Sequence, residues 1–452
     1  MKIILTRPNY DSHLITPPLG LGYIASFLKS KGYQSSIVDG LNLGWSNFKI
    51  AEHCQGVDFV GINCLSSYFE ETIDLSRRLK EKGATVIIGG PQASALPEIT
   101  LNETYADYVV IGEGELTMFE LIESIKSHKD VVDLTGVYTN KTTVINKRKL
   151  FDNLDDLPFP DWIQIDPRKY KKAPHGGVIK SFPVAPVISS RGCPFNCKFC
   201  ASPFLWDRKI RYRSPENVVE EIEYLVKEFG VKEIHFEDDN ITLAPGHIEK
   251  ISSLIIKKNL KINWGCPNGV RTENLTRELL LLMKKSGCYF LAFGIESGNQ
   301  EILNAMNKHS NLAAVSQVIR LANSIGIVTQ GFFIFGLPGE TQETVHQTIR
   351  FAKELPLDKA QFLYLDILPG SELWKELGSQ VDIFQNKRSY QEVRWIPPTI
   401  DKDVLNNALS HAFRTFFFRP RQLFLVLKFL KLSQLKFIIK RLIDFKIIPV
   451  KK

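Results

Sequence analysis

Over the first 145 residues, short apolar runs alternate with amphipathic stretches. The runs at 2–6, 36–39, 59–63, 85–88 and 108–111 read as buried strands. Between them, 19–31, 70–82 and 116–127 carry apolar residues at helical spacing. Gly32 and Gly83 stand where helix C-caps belong. Strand–helix alternation at this period predicts a doubly wound parallel sheet, an α/β fold. In such sheets a ligand lies beyond the carboxyl ends of the strands, at a switch point. Those ends carry Pro17-Pro18-Leu19-Gly20-Leu21-Gly22, Cys64-Leu65-Ser66-Ser67-Tyr68, Gly89-Gly90-Pro91 and Gly112-Glu113-Gly114-Glu115. Gly and Ser remove side-chain bulk there and let backbone N–H groups approach a ligand. No Gly-x-Gly-x-x-Gly follows the first run, which argues against a dinucleotide site.

Residues 146–185 are acidic and proline-rich from Asp152 to Trp162 and read as a semi-rigid linker. The following loop, 169–177, is placed near a substrate mouth by its position alone. From 186 to 385, strand-like runs return at 186–189, 233–236, 262–265, 289–293, 330–335 and 361–365, with helices between them. Ser214-Pro215 opens one helix and Gly230 stops it; Thr276 opens another that ends at Gly287. Six such units fit an open, partial (β/α)6 barrel, whose reactive groups belong at the carboxyl ends of its strands. Residues 386–452 form a basic, aromatic, helical C-terminal region.

The chemistry sits directly after the first of these six strands. Cys193, Cys197 and Cys200 fall within eight residues, spaced Cys-x3-Cys-x2-Cys. Three thiolates that close can hold a cubane of four irons and four sulfides, leaving one iron with an open position. A structural zinc site wants four ligands, usually in paired Cys-x2-Cys arms, and the remaining cysteines, Cys54, Cys64, Cys266 and Cys288, are scattered singly.

Composition narrows the setting. Seven cysteines, mostly isolated, argue against a disulfide scaffold and fit a reducing, cytoplasmic compartment. No signal peptide and no apolar stretch long enough to span a membrane is visible. The net charge of +8 is uneven: residues 411–452 hold eleven basic residues and one acid, while the other 410 hold 46 basic and 48 acidic ones. Within that tail Leu435, Ile438, Ile439 and Leu442 share one helical face and basic residues the other. Such a helix either docks on the barrel or lies peripherally on an anionic membrane. No nucleic-acid-binding module is recognisable.

The stretch Arg191-Gly192-Cys193 to Cys200 closely resembles the signature of the radical S-adenosylmethionine (SAM) superfamily. Pro-Pro-Leu-Gly-Leu-Gly-Tyr, Ile-Gly-Gly-Pro and Val-Ile-Gly-Glu-Gly-Glu, in that order, resemble the flavodoxin-like cobalamin-binding domain that precedes some radical SAM domains. The resemblance implies a [4Fe-4S] cluster that chelates SAM and, with one electron, cleaves it to a 5′-deoxyadenosyl radical. It implies SAM contacts from Phe199, Glu237, Asp238, Arg271, Glu296, Ser297 and Gly336, the last opening a Gly-Leu-Pro-Gly-Glu turn. It implies cobalamin contacts from Ser66, Ser67, Gly89, Gly90, Gly112 and Glu113. Asp11-Ser12-His13-Leu14-Ile15-Thr16 resembles the Asp-x-His-x-x-Gly motif with Thr16 replacing Gly, so His13 is open as a cobalt ligand or a loop histidine. The family contains methylases of unactivated carbons and ring-forming cyclases. Three functions follow as expectations: a cobalamin-dependent methyltransferase, a cyclase or oxidoreductase using the same cofactors, and a non-catalytic cobalamin sensor. Expected partners are a small-molecule or lipid-like substrate, hinted at by the aromatic tail, and an external electron donor of the flavodoxin or ferredoxin type.

Overall fold

The computed structural model describes residues 1–12, 15–170, 179–382, 390–420 and 422. His13, most of the 169–177 loop and the basic helix face at 435–442 lie outside these residues.

The first sheet contains β1 (Ile3–Arg7), β2 (Ser35–Asp39), β3 (Phe59–Asn63), β4 (Thr85–Gly89), β5 (Tyr108–Val110) and β6 (Val137–Tyr138). Their order is β2-β1-β3-β4-β5-β6. The first five are parallel, and β6 adds an antiparallel edge. The apolar runs are continuous because both faces are covered. Ile4, Val60, Val86 and Ile88 pack into one layer, and Ile3, Leu5, Phe59 and Ile87 into the other. Successive side chains point to opposite faces, so one run feeds two cores. Since β1 lies between β2 and β3, the chain leaves it in opposite directions, and the β1/β3 carboxyl ends form the switch-point crevice.

The second sheet contains β7 (Val184–Val187), then, after a hairpin of β8 (Ser190–Arg191) and β9 (Arg211–Tyr212), β10 (Glu233–Phe236), β11 (Asn263–Val270), β12 (Cys288–Glu296), β13 (Val328–Phe335) and β14 (Lys359–Tyr364). The order β7-β10-β11-β12-β13-β14 follows the sequence, all strands are parallel, and the two outer strands do not pair. This is the open six-unit barrel that the periodicity predicts. Helix Pro215–Phe229 begins at Ser214, whose side chain accepts from the Asn217 amide, and ends at Gly230 in the left-handed region. β11 and β12 run longer than the sequence pattern suggests, because Pro267-Asn268-Gly269 breaks the apolar run while register shifts absorb the extra residues.

The linker is packed against both halves. Trp162 and Ile165 are buried in the barrel's core. Gln164 accepts from the Ile37 amide (2.7 Å) and donates to the Ser35 carbonyl (3.0 Å), satisfying the free edge of β2. Helix Lys402–Phe417 covers β14 and helix Gln342–Glu354. Its Phe413 and Phe416 are buried in the barrel core, so these aromatic residues are structural and do not point to a lipidic substrate. Among the described residues, no helix is long and apolar enough to cross a membrane.

Candidate active site

Cys193, Cys197 and Cys200 occupy the loop that leaves β8 at the carboxyl end of the barrel. Backbone bonds sew this loop down on both sides: the Lys198 amide donates to Met306 O (3.0 Å), and the Leu373 amide donates to Lys198 O (2.9 Å). Gly192 sits at φ 101°, and a Cβ there would stand 2.0 Å from the Lys209 carbonyl oxygen. Only glycine therefore lets the loop turn out of the hairpin. The three thiols are close enough that Cys200 feels the charge of both others. Burial raises all three thiol pKa values, that of Cys200 to about 12. Iron binding must therefore displace protons, as thiolate ligation generally does. Among the described residues, no three His, Cys, Asp or Glu groups converge on a point suited to a single metal ion. Cubane ligation asks each thiolate to meet a separate iron, and this donor set fits that demand.

Around Cys197 the barrel assembles charge. The Arg271 guanidinium lies 3.8 Å from the Phe195 ring centroid, stacked on the loop itself. It also donates to Glu273 (2.6 Å) and to Lys308 O (2.8 Å). Glu296 is held at φ 68° at the end of β12, and the buried Lys308 ammonium donates to its carboxylate (2.8 Å). Burial opposes the Lys308 charge, but Glu296 and Cys197 outweigh it and raise the pKa. Gly294 makes this pair possible, since a Cβ would stand 2.6 Å from Glu296 Oε1 and 3.0 Å from Lys308 Nζ. Arg271 and Glu296 are thus brought together at the cysteine loop. Lys308 and Phe195 join them and were not singled out from the sequence: Lys308 belongs to no motif, and only its approach through a turn with Asn307 at φ 53° reveals it.

The other expected SAM contacts divide. Phe199 packs on an apolar floor of Met306, Leu337, Leu365 and Leu373 beyond β13 and β14. Glu237 follows β10, its amide bonded to Val187 O (2.9 Å). Asp238 faces inward instead. It accepts from the Ser189 and Ser190 hydroxyls (2.7 and 2.6 Å) and the Ser189 amide, strapping the end of β10 to the root of the cysteine loop. Burial pushes its pKa up to about 6 against these hydrogen bonds. Ser297 is fully buried and its hydroxyl shares a hydrogen bond with Thr348. Gly336, at φ 87°, donates its amide to the buried Glu340 carboxylate (2.6 Å) and faces Leu405 of the C-terminal helix. In this structure the side chains of Asp238 and Ser297 and the Gly336 amide are hydrogen-bonded within the protein.

At the first sheet the expected loops come together at the carboxyl ends of β3, β4 and β5. Gly90 has φ 108°, and a Cβ would stand 2.7 Å from Cys64 O, so the ends of β3 and β4 meet only through glycine. Ser66 Oγ donates to Gln92 Oε1 (2.5 Å), and Ser67 lies in the same short turn. The Gly112 amide donates to Ser94 Oγ (2.9 Å), and Gly89 closes β4. Gln92 Nε2 is buried without a protein partner. Buried donors are normally satisfied, and a corrinoid rich in amide and phosphate acceptors meets that need. The Glu113 side chain turns from this loop into protein contacts. Its carboxylate is consumed by Arg191 (2.6 Å), Arg211 (2.9 Å) and the Phe151 amide (2.9 Å). Burial opposes its ionisation, but the two arginines lower its pKa below the usual range.

A barrel opening on a three-cysteine loop, preceded by a flavodoxin-like crevice, defines a radical SAM protein with a cobalamin-binding domain. Residues 187–352 match the radical SAM superfamily, and residues 9–122 match the B12 binding domain. The chain is 33% identical to an uncharacterized methyltransferase of Pyrococcus horikoshii, covering 94% of each. It is 30% identical to the cytidylyl-2-hydroxyethylphosphonate methyltransferase of Streptomyces wedmorensis (83% of this chain, 81% of that one). It is 28% identical to the anaerobic magnesium-protoporphyrin IX monomethyl ester cyclase of Rubrivivax gelatinosus (92% and 77%). The fold superposes on TsrM of Kitasatospora setae, a radical SAM methyltransferase, with TM-score 0.71 at 19% identity, covering 84% of this chain and 76% of that one. The chain belongs to the cobalamin-binding radical SAM family, and its cofactors are a [4Fe-4S] cluster, SAM and cobalamin.

Proposed function

We propose that this enzyme methylates an unactivated carbon of a small-molecule substrate. The observation that carries the reading is its near full-length similarity to an uncharacterized methyltransferase, together with both cofactor domains in this chain. The cluster supplies the electron that opens SAM, and cobalamin supplies a methyl carrier. The chain's own residues have narrower tasks. Cys193, Cys197 and Cys200 hold the iron, while Arg271, Lys308 and Glu296 provide fixed charges for the polar end of SAM. Phe199, seated on its apolar floor, presents an apolar face, and Gln92, whose Nε2 has no protein partner, provides a hydrogen bond to the corrinoid beside Ser66 and Gly112. The reducing electron comes from an external donor of the flavodoxin or ferredoxin type. The Lys- and Arg-rich composition of residues 433–452 suits an anionic membrane surface, and vesicle flotation with and without these residues tests that contact.

The test of methylation is product analysis with a panel of candidate substrates under strict anaerobiosis. Methylation yields both 5′-deoxyadenosine and S-adenosylhomocysteine, with a product heavier by one methyl group. A cyclase or oxidoreductase, favoured by the similarity to the Rubrivivax protein, yields 5′-deoxyadenosine and a product without the added methyl. That outcome replaces the first reading with the second.

A further inference from the structure

The acids that close the crevice loop also grip the root of the cysteine loop. Arg191, two residues before Cys193, donates from Nη1 to Glu113 Oε1 (2.6 Å) and from Nη2 to Glu115 Oε1 (2.7 Å). Arg211, its partner across the β8–β9 hairpin, donates to the other Glu113 oxygen (2.9 Å) and to Phe151 O (2.8 Å) in the linker. Arg191, Glu113 and Glu115 are 9%, 6% and 4% exposed. Tyr23, on helix Leu19–Ser30 of the first domain, covers the Arg191 guanidinium at 4.9 Å. Burial opposes the charge on Arg191, yet Glu115 and Glu113 more than restore it and hold its pKa above the ordinary value.

Two arginines and two glutamates make the knot electrically neutral. Buried ion pairs of this kind contribute little net stability, because desolvation consumes most of the attraction; their best-attested use is to fix register. The register here is between two cofactor sites. On one side Gly112, next to Glu113, bonds Ser94 in the crevice wall. On the other, Gly192, next to Arg191, is locked against Lys209 and leads directly into Cys193. Arginine suits the position because its planar fork spans two carboxylates, which an ammonium cannot do with the same geometry.

We propose that Arg191, clamped by Glu113 and Glu115, is a positioning residue that sets the distance and angle between the cobalamin crevice and the cysteine loop. The inference rests on both sites holding their cofactors as stated above. A radical formed at one site and a methyl held at the other must reach one substrate carbon, so sub-ångström control of this spacing bears directly on rate.

The test is pulsed electron paramagnetic resonance on protein loaded with Co(II) cobalamin and reduced cluster. Both centres carry an unpaired electron, so their dipolar coupling reports the distance between them. Wild-type protein gives one narrow distance. Arg191→Met keeps wild-type iron, sulfide and cobalt contents, broadens or shifts that distance, and slows product formation about 100-fold. Arg191→Lys does not restore the narrow distance. Glu115→Gln, isosteric and milder, gives an intermediate broadening. An unchanged narrow distance in Arg191→Met and Glu115→Gln overturns the proposal. So does failure of both variants to take up cofactors that the wild type takes up, since the knot would then serve assembly. A wild-type protein that binds no cobalamin removes the function proposed above, and this inference with it.

Discussion

Lys308 and Glu296 form a buried pair beside Cys197, and Glu296 is the main compensation for the water that Lys308 loses. Removing one partner leaves an unmatched buried charge, which generally costs about 3–5 kcal/mol. Lys308→Met is therefore expected to lower the urea midpoint and to weaken SAM binding about tenfold or more, read by equilibrium dialysis against the reconstituted protein. Normal SAM affinity in this variant would remove Lys308 from the site. Glu340 makes a second residue-level prediction. Burial pushes its carboxyl up to about 8, although the Gly336 and Leu337 amides donate to it. A carboxyl raised in the folded state contributes its stability at low pH and loses it as pH rises through the folded value. Thermal stability should fall between about pH 4.5 and pH 8. Glu340→Gln, whose amide oxygen can still accept, should flatten that part of the profile. Neither residue announced its role in sequence. Glu340 reads as an ordinary turn residue and Lys308 as a solvated lysine, because burial is set by what the rest of the chain brings over them.

The cysteine loop was legible because its chemistry needs fixed spacing along the chain, and the main strands because their apolar runs bury two faces. The hairpin of β8 and β9 was not: two residues per strand give no period to read. Nor were the protein partners of Asp238 and Glu113. Both stand at strand ends, where acids commonly meet ligands, yet their oxygens are filled by Ser189, Ser190, Arg191 and Arg211, which only the tertiary structure delivers. At this scale Gly192 is the most exposed to test. Gly192→Ala combines a left-handed backbone with a 2.0 Å approach to the Lys209 carbonyl, so backbone must move. Iron incorporation should drop sharply while the far-ultraviolet circular dichroism stays close to wild type. Gly230→Ala, at φ 61° with open space around the added methyl, is the control: it should cost about 1 kcal/mol in stability and leave iron content intact.

Across the whole molecule, two parallel sheets with different ligand logic are joined by a linker that is part of the packing. The flavodoxin-like sheet offers a crevice at its switch point, and the barrel offers the carboxyl ends of its strands. Trp162, Gln164 and the Arg191 knot hold these two openings in one frame. The account depends on the barrel opening holding an iron–sulfur cubane through Cys193, Cys197 and Cys200. The most direct measurement is oxygen-free reconstitution with iron and sulfide, followed by metal analysis and electron paramagnetic resonance with and without SAM. A brown wild-type protein with about four irons and four sulfides per chain, a reduced signal that shifts on adding SAM, and a colourless Cys197→Ala variant are the predicted results. A wild-type protein that stays colourless, or a Cys197→Ala variant with the same cluster signal, would contradict it.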